Sequence, residues 1–285
     1  MSKRKVEICI VSDIHLGTYG CHASEFLDYL KSIDTNLLIL NGDIIDIWNF
    51  KKSYFPSNHM EVIRYLLKMV KKGTKVVYIT GNHDDLLRKY SDFEIDNLLL
   101  VDKFIFRLGQ KTYWCFHGDI FDRMTKGRAR LLAKLGGKGY DLLILINRFT
   151  NRLLTFFGQE KLSLSKKIKS GVKTAVKWIT DFEETAANLA IDQGYDYVIC
   201  GHIHQPKKRV IKNDDGEVIY LNSGDWVENL TALEFTNNEW SIYHYDQDKF
   251  QTEEISDSII RTKIRRSRIN RKIISKTRTT SRSNI

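Results

Sequence analysis

Short apolar runs recur along the chain, and their length and composition are typical of buried strands. Each run is nearly continuous in aliphatic and aromatic residues, as expected where both faces of a sheet are covered. Several of them end abruptly in polar residues. The pattern predicts strands over 6–13, 36–43, 75–84, 104–119, 195–204, 218–225 and 230–235, with 104–119 as a hairpin.

Apolar residues at helical spacing lie between the early strands. They predict helices over 23–33 and 59–73, the second ending in two lysines and Gly73, because glycine commonly terminates helices. Alternating strands and helices favour an α/β fold, and the later hairpins make its sheets mixed. We therefore expect one large domain over 1–257.

The stretch 123–177 differs because its pattern is helical throughout. Its segment 140–158 is strongly apolar but is interrupted by Arg148 and Arg152. We interpret 123–177 as a helical insertion that caps the domain, with a helix over 179–194 returning the chain to the body. The cap is either packed on the body with solvated lysines or forms a lipid-facing surface.

Charge is distributed unevenly along the chain. There are 45 Lys and Arg against 35 Asp and Glu, a formal net charge of +10. Ten of the basic residues and none of the acids lie in 258–285, so 1–257 is neutral overall. Within 1–257, the cap holds 14 basic residues and 2 acids. The tail 258–285 is predicted to be disordered, with anionic lipid and nucleic acid as alternative partners.

The cysteines and the N-terminal segment indicate in which cellular compartment the protein is found. The four cysteines are far apart and lack CxxC spacing, which is typical of reduced thiols in the cytosol. The first apolar run ends at Asp13 and is too short for a signal peptide. No apolar run approaches the roughly 20 residues that span a bilayer. We expect a cytoplasmic protein, an expectation compatible with peripheral contact with the inner membrane.

Polar residues follow five of the predicted strands at their carboxyl ends. In open α/β sheets these ends face one crevice, where ligands bind. Carboxylate, amide and imidazole groups there would make a metal-ligand set, although a single histidine in a strand is more often an ordinary core or edge residue. Seven ligands suit two ions that share a carboxylate. The candidate metal ligands are Asp13, His15, Asp43, Asn82, His117, His202 and His204.

The order D-x-H, GD, GNHD, H and GHxH over residues 6–245 resembles the calcineurin-like metallophosphoesterases. The resemblance implies a four-layer sandwich of two mixed sheets flanked by helices, and a dinuclear centre that hydrolyses phosphoesters. It also implies that Asp13, His15 and His204 hold one ion. Asn82, His117 and His202 would hold the other, and Asp43 would bridge them. His83 would hydrogen-bond a phosphate oxygen or the leaving group, with Asp84 or a neighbour orienting it.

The mixed oxygen and nitrogen ligands are compatible with several divalent metals. Mn, Fe, Zn and Co all accept such a set, and the resemblance implies manganese. Two such ions lower the pKa of a water molecule and offset charge on a phosphoryl group, so no protein nucleophile is required.

A narrower resemblance concerns the substrate. The segments 42–48, 121–141, 180–184 and 222–233 resemble the UDP-2,3-diacylglucosamine hydrolase group of lipid A synthesis. The resemblance implies a lipid-linked nucleotide sugar as substrate, whose pyrophosphate is cleaved to give UMP and a diacylated sugar phosphate. A substrate with acyl chains and a diphosphate suits an apolar, basic cap. This chain departs from the best-known branch, which has arginine where His83 stands. The candidate substrate contacts are Asp46, Asn222, Asp225, Arg128 and Arg148. The first three could instead support the metal ligands from behind, or be ordinary turn residues.

Two rival functions remain open. An enzyme of the same fold could act on nucleic acid or a soluble nucleotide, which the basic tail favours and the apolar cap does not. A catalytically silent scaffold could bind membranes or proteins, but the complete ligand set argues against it.

Overall fold

The computed structural model describes residues 3–48, 54–121 and 167–246, with backbone alone for 167–176. Its strands form two sheets. The larger sheet contains, in spatial order, β12 (Glu239–His244), β11 (Thr231–Thr236), β1 (Arg4–Val11), β2 (Ile33–Asn41), β3 (Lys75–Ile79), β5 (Leu98–Val101) and β4 (Phe93–Ile95). The smaller sheet contains β6 (Lys103–Leu108), β7 (Lys111–Phe116), β8 (Tyr197–Cys200), β10 (Gly216–Asn222) and β9 (Lys207–Asn213).

Both sheets are mixed, as predicted. Strands β1, β2, β3 and β5 are parallel, and so are β7, β8 and β10 in the second sheet. Hairpins contribute the antiparallel pairs β11–β12, β4–β5, β6–β7 and β9–β10. Parallel neighbours point their carboxyl ends to the same edge, so the loops after β1, β2 and β3 lie side by side.

Three α-helices and a 3-10 helix complete the described part of the chain. They are α1 (Ala23–Ser32), α2 (Ser57–Lys71), the 3-10 helix Asp85–Tyr90 and α3 (Lys167–Asp192). In α1 the buried residues Phe26, Leu27 and Leu30 follow helical spacing. Helices α1 and α2 contact the larger sheet, and α3 contacts the smaller one. The layers are therefore helix, sheet, sheet, helix, and the predicted four-layer α/β sandwich is confirmed.

The main core lies between the two sheets, where apolar side chains from both are removed from water. Such burial is the principal favourable term in folding, at about 25 cal/mol per Å² of apolar surface. Its buried members are Ile8, Ile10, Ile39, Val77, Ile79, Val101, Tyr113, Cys115, Ile199, Leu221, Leu233, Phe235 and Trp240.

The structure also extends the predicted elements. The strands β4, β5, β9 and β12 were not predicted, and α3 begins at Lys167 instead of 179. The boundary predicted for the cap at 177 therefore lies inside a helix. The predicted cap helix over 140–158 and the tail 258–285 lie outside the described residues. Within 3–48, 54–121 and 167–246, no helix combines the length and apolarity needed to span a membrane.

Candidate metal centre

All seven predicted ligands lie at carboxyl ends of strands. Asp13 and His15 follow β1, Asp43 follows β2 and Asn82 follows β3 in the larger sheet. In the smaller sheet His117 follows β7, and His202 and His204 follow β8. Three groups of potential ligand atoms are close together, each within 4.8 Å: Asp13, His15 and His204; His15, Asp43 and His83; and Asp43, His117 and His202.

The backbone at these positions has an unusual conformation. Asp13, His15, Asp43, His202 and His204 all have positive φ, between 51° and 68°. Non-glycine residues rarely adopt this region, and such strain is concentrated at functional sites. Hydrogen bonds between loops hold the conformation, including Asp13 N to Gly42 O at 3.0 Å and His15 N to Asp43 O at 3.0 Å.

In the first ligand group, Asp13 lies between two histidines. Its Oδ1 is 3.1 Å from His204 Nε2 and 3.9 Å from His15 Nε2. Its Oδ2 accepts the backbone N–H of His202 at 3.0 Å, so the carboxylate is fixed at both oxygens. Asp13 is fully buried, and a carboxylate with two imidazoles in this arrangement can hold one divalent cation.

The group of Asp43, His117 and His202 is called the second ligand group from here on. In it, His117 faces Asp43. Its Nδ1 donates to Asn41 O at 2.9 Å, which leaves Nε2 unprotonated in the neutral ring and aimed at Asp43 Oδ2, 3.2 Å away. The ring centroids of His117 and His202 are 5.1 Å apart. Asn82, which follows in the third loop, has its Oδ1 buried.

Asp43 lies between the two groups. Its Oδ2 is 3.2 Å from His117 Nε2 and 3.9 Å from His15 Nε2, so one oxygen faces a ligand from each group. Its Oδ1 accepts the backbone N–H of His83 at 2.8 Å. This geometry suits a carboxylate that bridges two ions.

Three buried ligand atoms have no hydrogen-bond partner within the described part of the chain: His15 Nε2, Asn82 Oδ1 and His117 Nε2. A buried polar atom left without a partner costs about 1–3 kcal/mol. All three belong to residues that sequence analysis assigned to metal, and oxygen and imidazole donors suit divalent transition metals. The residues therefore fit a pair of divalent cations.

Electrostatics keep the acids of the site ionised. Although burial raises the pKa of Asp13, His204 and His117 outweigh it and lower the pKa to about 2. Burial also opposes ionisation of Asp43, but His117 and His15 hold its pKa well below the usual range. Burial lowers the pKa of His204, yet Asp13 raises it overall to about 9. Metal binding therefore has to displace a proton from His204, so affinity should fall on acidification.

The resemblance left open whether Asp84 or a neighbour orients His83, and the distances favour a neighbour. Asp84 was predicted as a catalytic residue, but its oxygens accept hydrogen bonds from Ile44 N at 2.9 Å, Gly81 N at 2.6 Å and Tyr78 Oη at 2.6 Å. Asp84 therefore holds the loop. The carboxylate beside His83 is Asp46, whose Oδ1 is 3.0 Å from His83 Nδ1.

Asp46 also contacts a predicted metal ligand. Its Oδ2 is 3.4 Å from His15 Nδ1. Burial lowers the pKa of His83, but Asp46 outweighs burial and raises it. Asp46 was predicted to support the metal ligands or to contact the substrate, and it lies behind two histidines with only 2% of its surface exposed.

Two other predicted substrate contacts, Asn222 and Asp225, use their polar groups in hydrogen bonds near the end of β10. Asn222 donates from Nδ2 to Gly201 O and accepts from Gly224 N, both at 2.9 Å, so its amide is used within the loop. Asp225 accepts the backbone N–H of Val227 at 2.8 Å. Both are buried, and their contact with a substrate stays a prediction. Arg128 and Arg148 lie outside the described residues.

Three residues near the site were not predicted. Trp48, 59% exposed, lies with its ring centroid 5.2 Å from that of His83 and donates from Nε1 to Asp85 at 3.1 Å. Trp178 on α3 lies 6.2 Å from the His202 ring. Arg88 contacts the loops that carry Asn82 and His117. Trp48 stands in a segment that carried the resemblance, whereas Trp178 and Arg88 have no motif signal.

The sequence comparisons agree with this site. The family model for calcineurin-like phosphoesterases matches residues 6–206, and the chain belongs to that family. It is therefore a metal-dependent phosphoesterase, and membership implies divalent metal ions.

Two individual relatives have the same name, UDP-2,3-diacylglucosamine hydrolase. The chain is 25% identical over 241 residues to a UDP-2,3-diacylglucosamine hydrolase of Aliivibrio fischeri, covering 83% of this chain and 97% of that protein. It is 25% identical over 223 residues to the enzyme of the same name from Chromohalobacter salexigens, covering 76% and 87%. Among solved structures, the phosphoesterase Yfce from E. coli aligns with a TM-score of 0.41 at 12% identity, covering 84% of this chain and 99% of that one.

Proposed function

We propose that the protein hydrolyses the pyrophosphate of UDP-2,3-diacylglucosamine to UMP and 2,3-diacylglucosamine 1-phosphate in lipid A biosynthesis. The observation that carries the proposal is that Asp43 Oδ2 faces His15 of the first ligand group and His117 of the second, with His83 close to His15 and Asp43. Support for the substrate comes from relatives of that name, since the alignment covers 97% of the Aliivibrio protein.

In this proposal some side chains hold the cations and others hold the phosphate. When bound, two divalent cations activate a water molecule and offset the negative charge of the phosphoryl group. Asp43 is fixed by the His83 backbone N–H at Oδ1, so that Oδ2 stays directed at both ligand groups. Asp46 keeps a proton on His83 Nδ1. Although burial lowers the pKa of His83, Asp46 raises it overall, so the ring can carry a second proton, and Nε2–H would then donate to a phosphate oxygen or to the departing phosphate.

The cap supplies substrate selection in this proposal. We propose that a cap over about 123–177, whose last residues belong to α3, is inserted in a phosphoesterase domain of 1–257, and that its apolar segment 140–158 would receive the acyl chains. Arg128 and Arg148 would bind the phosphates. The composition of 123–177, with 14 basic residues and 2 acids, suits such an anionic group. The native metal is manganese. The enzyme is cytoplasmic and contacts the anionic face of the inner membrane through the cap and the tail.

The direct test is UMP release from UDP-2,3-diacylglucosamine by purified protein with and without Mn²⁺. We expect metal-dependent release, and Asp43→Ala should reduce it by at least about 10³-fold because removing the bridge disrupts both cation sites. His83→Gln should retain bound metal while lowering kcat roughly 10²–10⁴-fold, the range for loss of a general acid. Asp96→Asn, in the exposed turn between β4 and β5, is the control for a neutral substitution.

A substrate panel separates the proposal from its rival. UDP-N-acetylglucosamine, single-stranded DNA and a chromogenic phosphodiester are assayed under the same conditions. Turnover of the acylated substrate far above the others supports lipid recognition. Cleavage of DNA or the chromogenic diester without UMP release would contradict the substrate assignment while leaving the phosphoesterase centre in place. Replacing Mn²⁺ with Zn²⁺, Fe²⁺ or Co²⁺ in the same assay tests the choice of metal.

A further inference from the structure

Arg88 lies in the 3-10 helix Asp85–Tyr90, directly after the loop that carries Asn82 and His83. Its guanidinium makes a dense set of contacts. Nη2 donates to both carboxylate oxygens of Asp119, at 3.2 and 3.0 Å. Nε donates to Thr80 Oγ1 at 3.1 Å.

The same guanidinium reaches the backbone of the neighbouring loop. Nη2 also lies 3.4 Å from Thr80 O and 3.4 Å from Gly81 O. Nε is 3.3 Å from Asp102 Oδ1, and Thr80 Oγ1 donates to the same oxygen at 2.6 Å. The Arg88 guanidinium therefore joins the two residues after β3, Asp102 after β5, and Asp119, which lies two residues beyond His117.

These contacts join the two sheets next to one ligand group. Gly81 immediately precedes Asn82 after β3 in the larger sheet, while Asp119 lies two residues beyond His117 after β7 in the smaller sheet. Asn82 and His117 are both assigned to the second cation. Arg88 is the side chain that spans the two loops, since it contacts each of them through the same nitrogen.

The chemistry of arginine suits this task. Burial lowers the pKa of Arg88, but Asp119 outweighs it and raises the pKa, so the guanidinium stays charged. Its planar fork holds several acceptors at fixed angles, whereas a lysine ammonium is a single point charge. Asp119 is only 8% exposed, so a missing partner would leave a nearly buried carboxylate unpaired.

We propose that Arg88 is a positioning residue that sets the spacing of Asn82 and His117 and thereby the affinity of the second cation site. This inference rests on the proposed function only through the assignment of that ligand group. Arg88 acts through the loops, because within the described residues its hydrogen bonds and ion pairs are to Thr80, Gly81, Asp102 and Asp119, none of which is an assigned ligand.

The test measures Mn²⁺ binding rather than activity alone. Isothermal titration gives the number and affinity of bound ions, and electron paramagnetic resonance distinguishes a spin-coupled pair from isolated Mn²⁺. We expect two ions on the unmodified protein. Arg88→Ala should keep one tightly bound ion and lose about 10–100-fold in affinity for the second, the range for residues that orient ligands. Excess Mn²⁺ should restore its turnover.

Matched variants make the result specific. Asp119→Asn should weaken the second ion in the same way, and Arg88→Lys should recover part of the affinity. Arg64→Ala, on α2 and paired with the exposed Glu61, should bind two ions as the unmodified protein does. If Arg88→Ala does not fold, Arg88→Lys and Asp119→Asn carry the test, and normal affinity in both would overturn the proposal.

The outcomes separate this inference from the proposed function. Two ions bound with unchanged affinity in Arg88→Ala would overturn the role of Arg88 and leave the metal pair intact. Fewer than two ions on the unmodified protein would overturn the metal pair itself, and the role of Arg88 with it. Equal weakening of both ions would also contradict the proposal, because Arg88 adjoins the loops of only one group.

Discussion

Asp46 illustrates how one buried carboxylate can fix two histidines with different tasks. Its two oxygens lie 3.0 Å from His83 Nδ1 and 3.4 Å from His15 Nδ1. Although burial raises the pKa of Asp46, the two histidines outweigh it and hold the pKa well below its usual range. An anion at Nδ1 favours the proton there, which leaves His15 Nε2 free to bind a cation. In the proposed reaction, holding Nδ1 of His83 in this way leaves its Nε2 for the phosphate.

Replacing Asp46 with Asn tests this double role. The amide is neutral and can offer an acceptor to only one of the two rings in a given orientation. We expect kcat to fall roughly 10–100-fold and Mn²⁺ affinity to fall as well, as for other residues that orient metal ligands. Steady-state kinetics at saturating Mn²⁺ and a direct Mn²⁺ titration measure the two effects separately.

The control for this substitution is Asp96→Asn, which makes the same chemical change in an exposed turn at φ +53°, a conformation that asparagine tolerates. It should leave kcat and Mn²⁺ affinity unchanged. Wild-type kinetics in Asp46→Asn would show that His83 and His15 hold their orientation without the carboxylate.

The residues at the strand ends could be predicted, but their partners could not. Asp and His directly after apolar runs are visible in the sequence. They come together in the fold because the carboxyl ends of parallel strands lie at the same edge of a sheet. Whether Asp46 or Asp84 faces His83 depends on the path of two loops, and Asp84 is turned away by hydrogen bonds to Ile44 and Gly81. Arg88 belongs to no motif, and its role follows only from distances between loops.

At the scale of elements, the loops after β2 and β3 approach so closely that a side chain at Gly81 cannot be accommodated. A Cβ there would lie 2.2 Å from Asp43 Oδ1 and 2.6 Å from Asp43 N. Moving the backbone nitrogen of Asp43 away would cost free energy, because the next residue, Ile44, donates its N–H to Asp84. The glycine of the GNHD motif is therefore required by packing of one loop on another.

Gly81→Ala should separate the two loops. We expect a loss of about 1–3 kcal/mol in the free energy of unfolding, the usual cost of overpacking, together with weaker Mn²⁺ binding because Asp43 is displaced. Denaturant unfolding and Mn²⁺ titration provide the measurements. Gly109→Asn, in the β6–β7 turn at φ +58° with no atom within 4 Å of its Cβ position, should change neither quantity. Unchanged stability and binding in Gly81→Ala would show that the loops can relax.

The elements that the sequence pattern missed are mostly those with exposed faces. The strand β9 reads KKRVIKN and lies at the edge of the smaller sheet, where lysines are common and one face meets water. The strand β4 has three exposed residues at the edge of the larger sheet. The start of α3 was missed because its basic first turns were assigned to the cap. Strands buried on both faces, such as β1 and β2, follow directly from composition.

At the scale of the whole molecule, charge and catalysis are carried by different parts of the chain. The described ligand groups lie within residues 13–204, whereas the net charge of +10 corresponds to the ten basic residues of 258–285. Each basic residue near an anionic membrane surface contributes up to about 1 kcal/mol of attraction, an effect that salt screens. The tail should therefore affect where the enzyme acts more than how it hydrolyses a phosphoester.

Deleting 258–285 tests this separation. Turnover of a soluble phosphodiester should stay within about twofold of the full chain, because the ligands and Asp46 are untouched. Partitioning onto vesicles that contain anionic lipid should fall by more than about tenfold, and the difference should shrink at high salt. A full-length variant with Gln at the ten basic positions is the matched control, since it keeps length and removes only charge. Loss of soluble turnover in the truncated protein would show that the tail supports the fold, and vesicle binding equal to that of the full chain would place the membrane contact elsewhere.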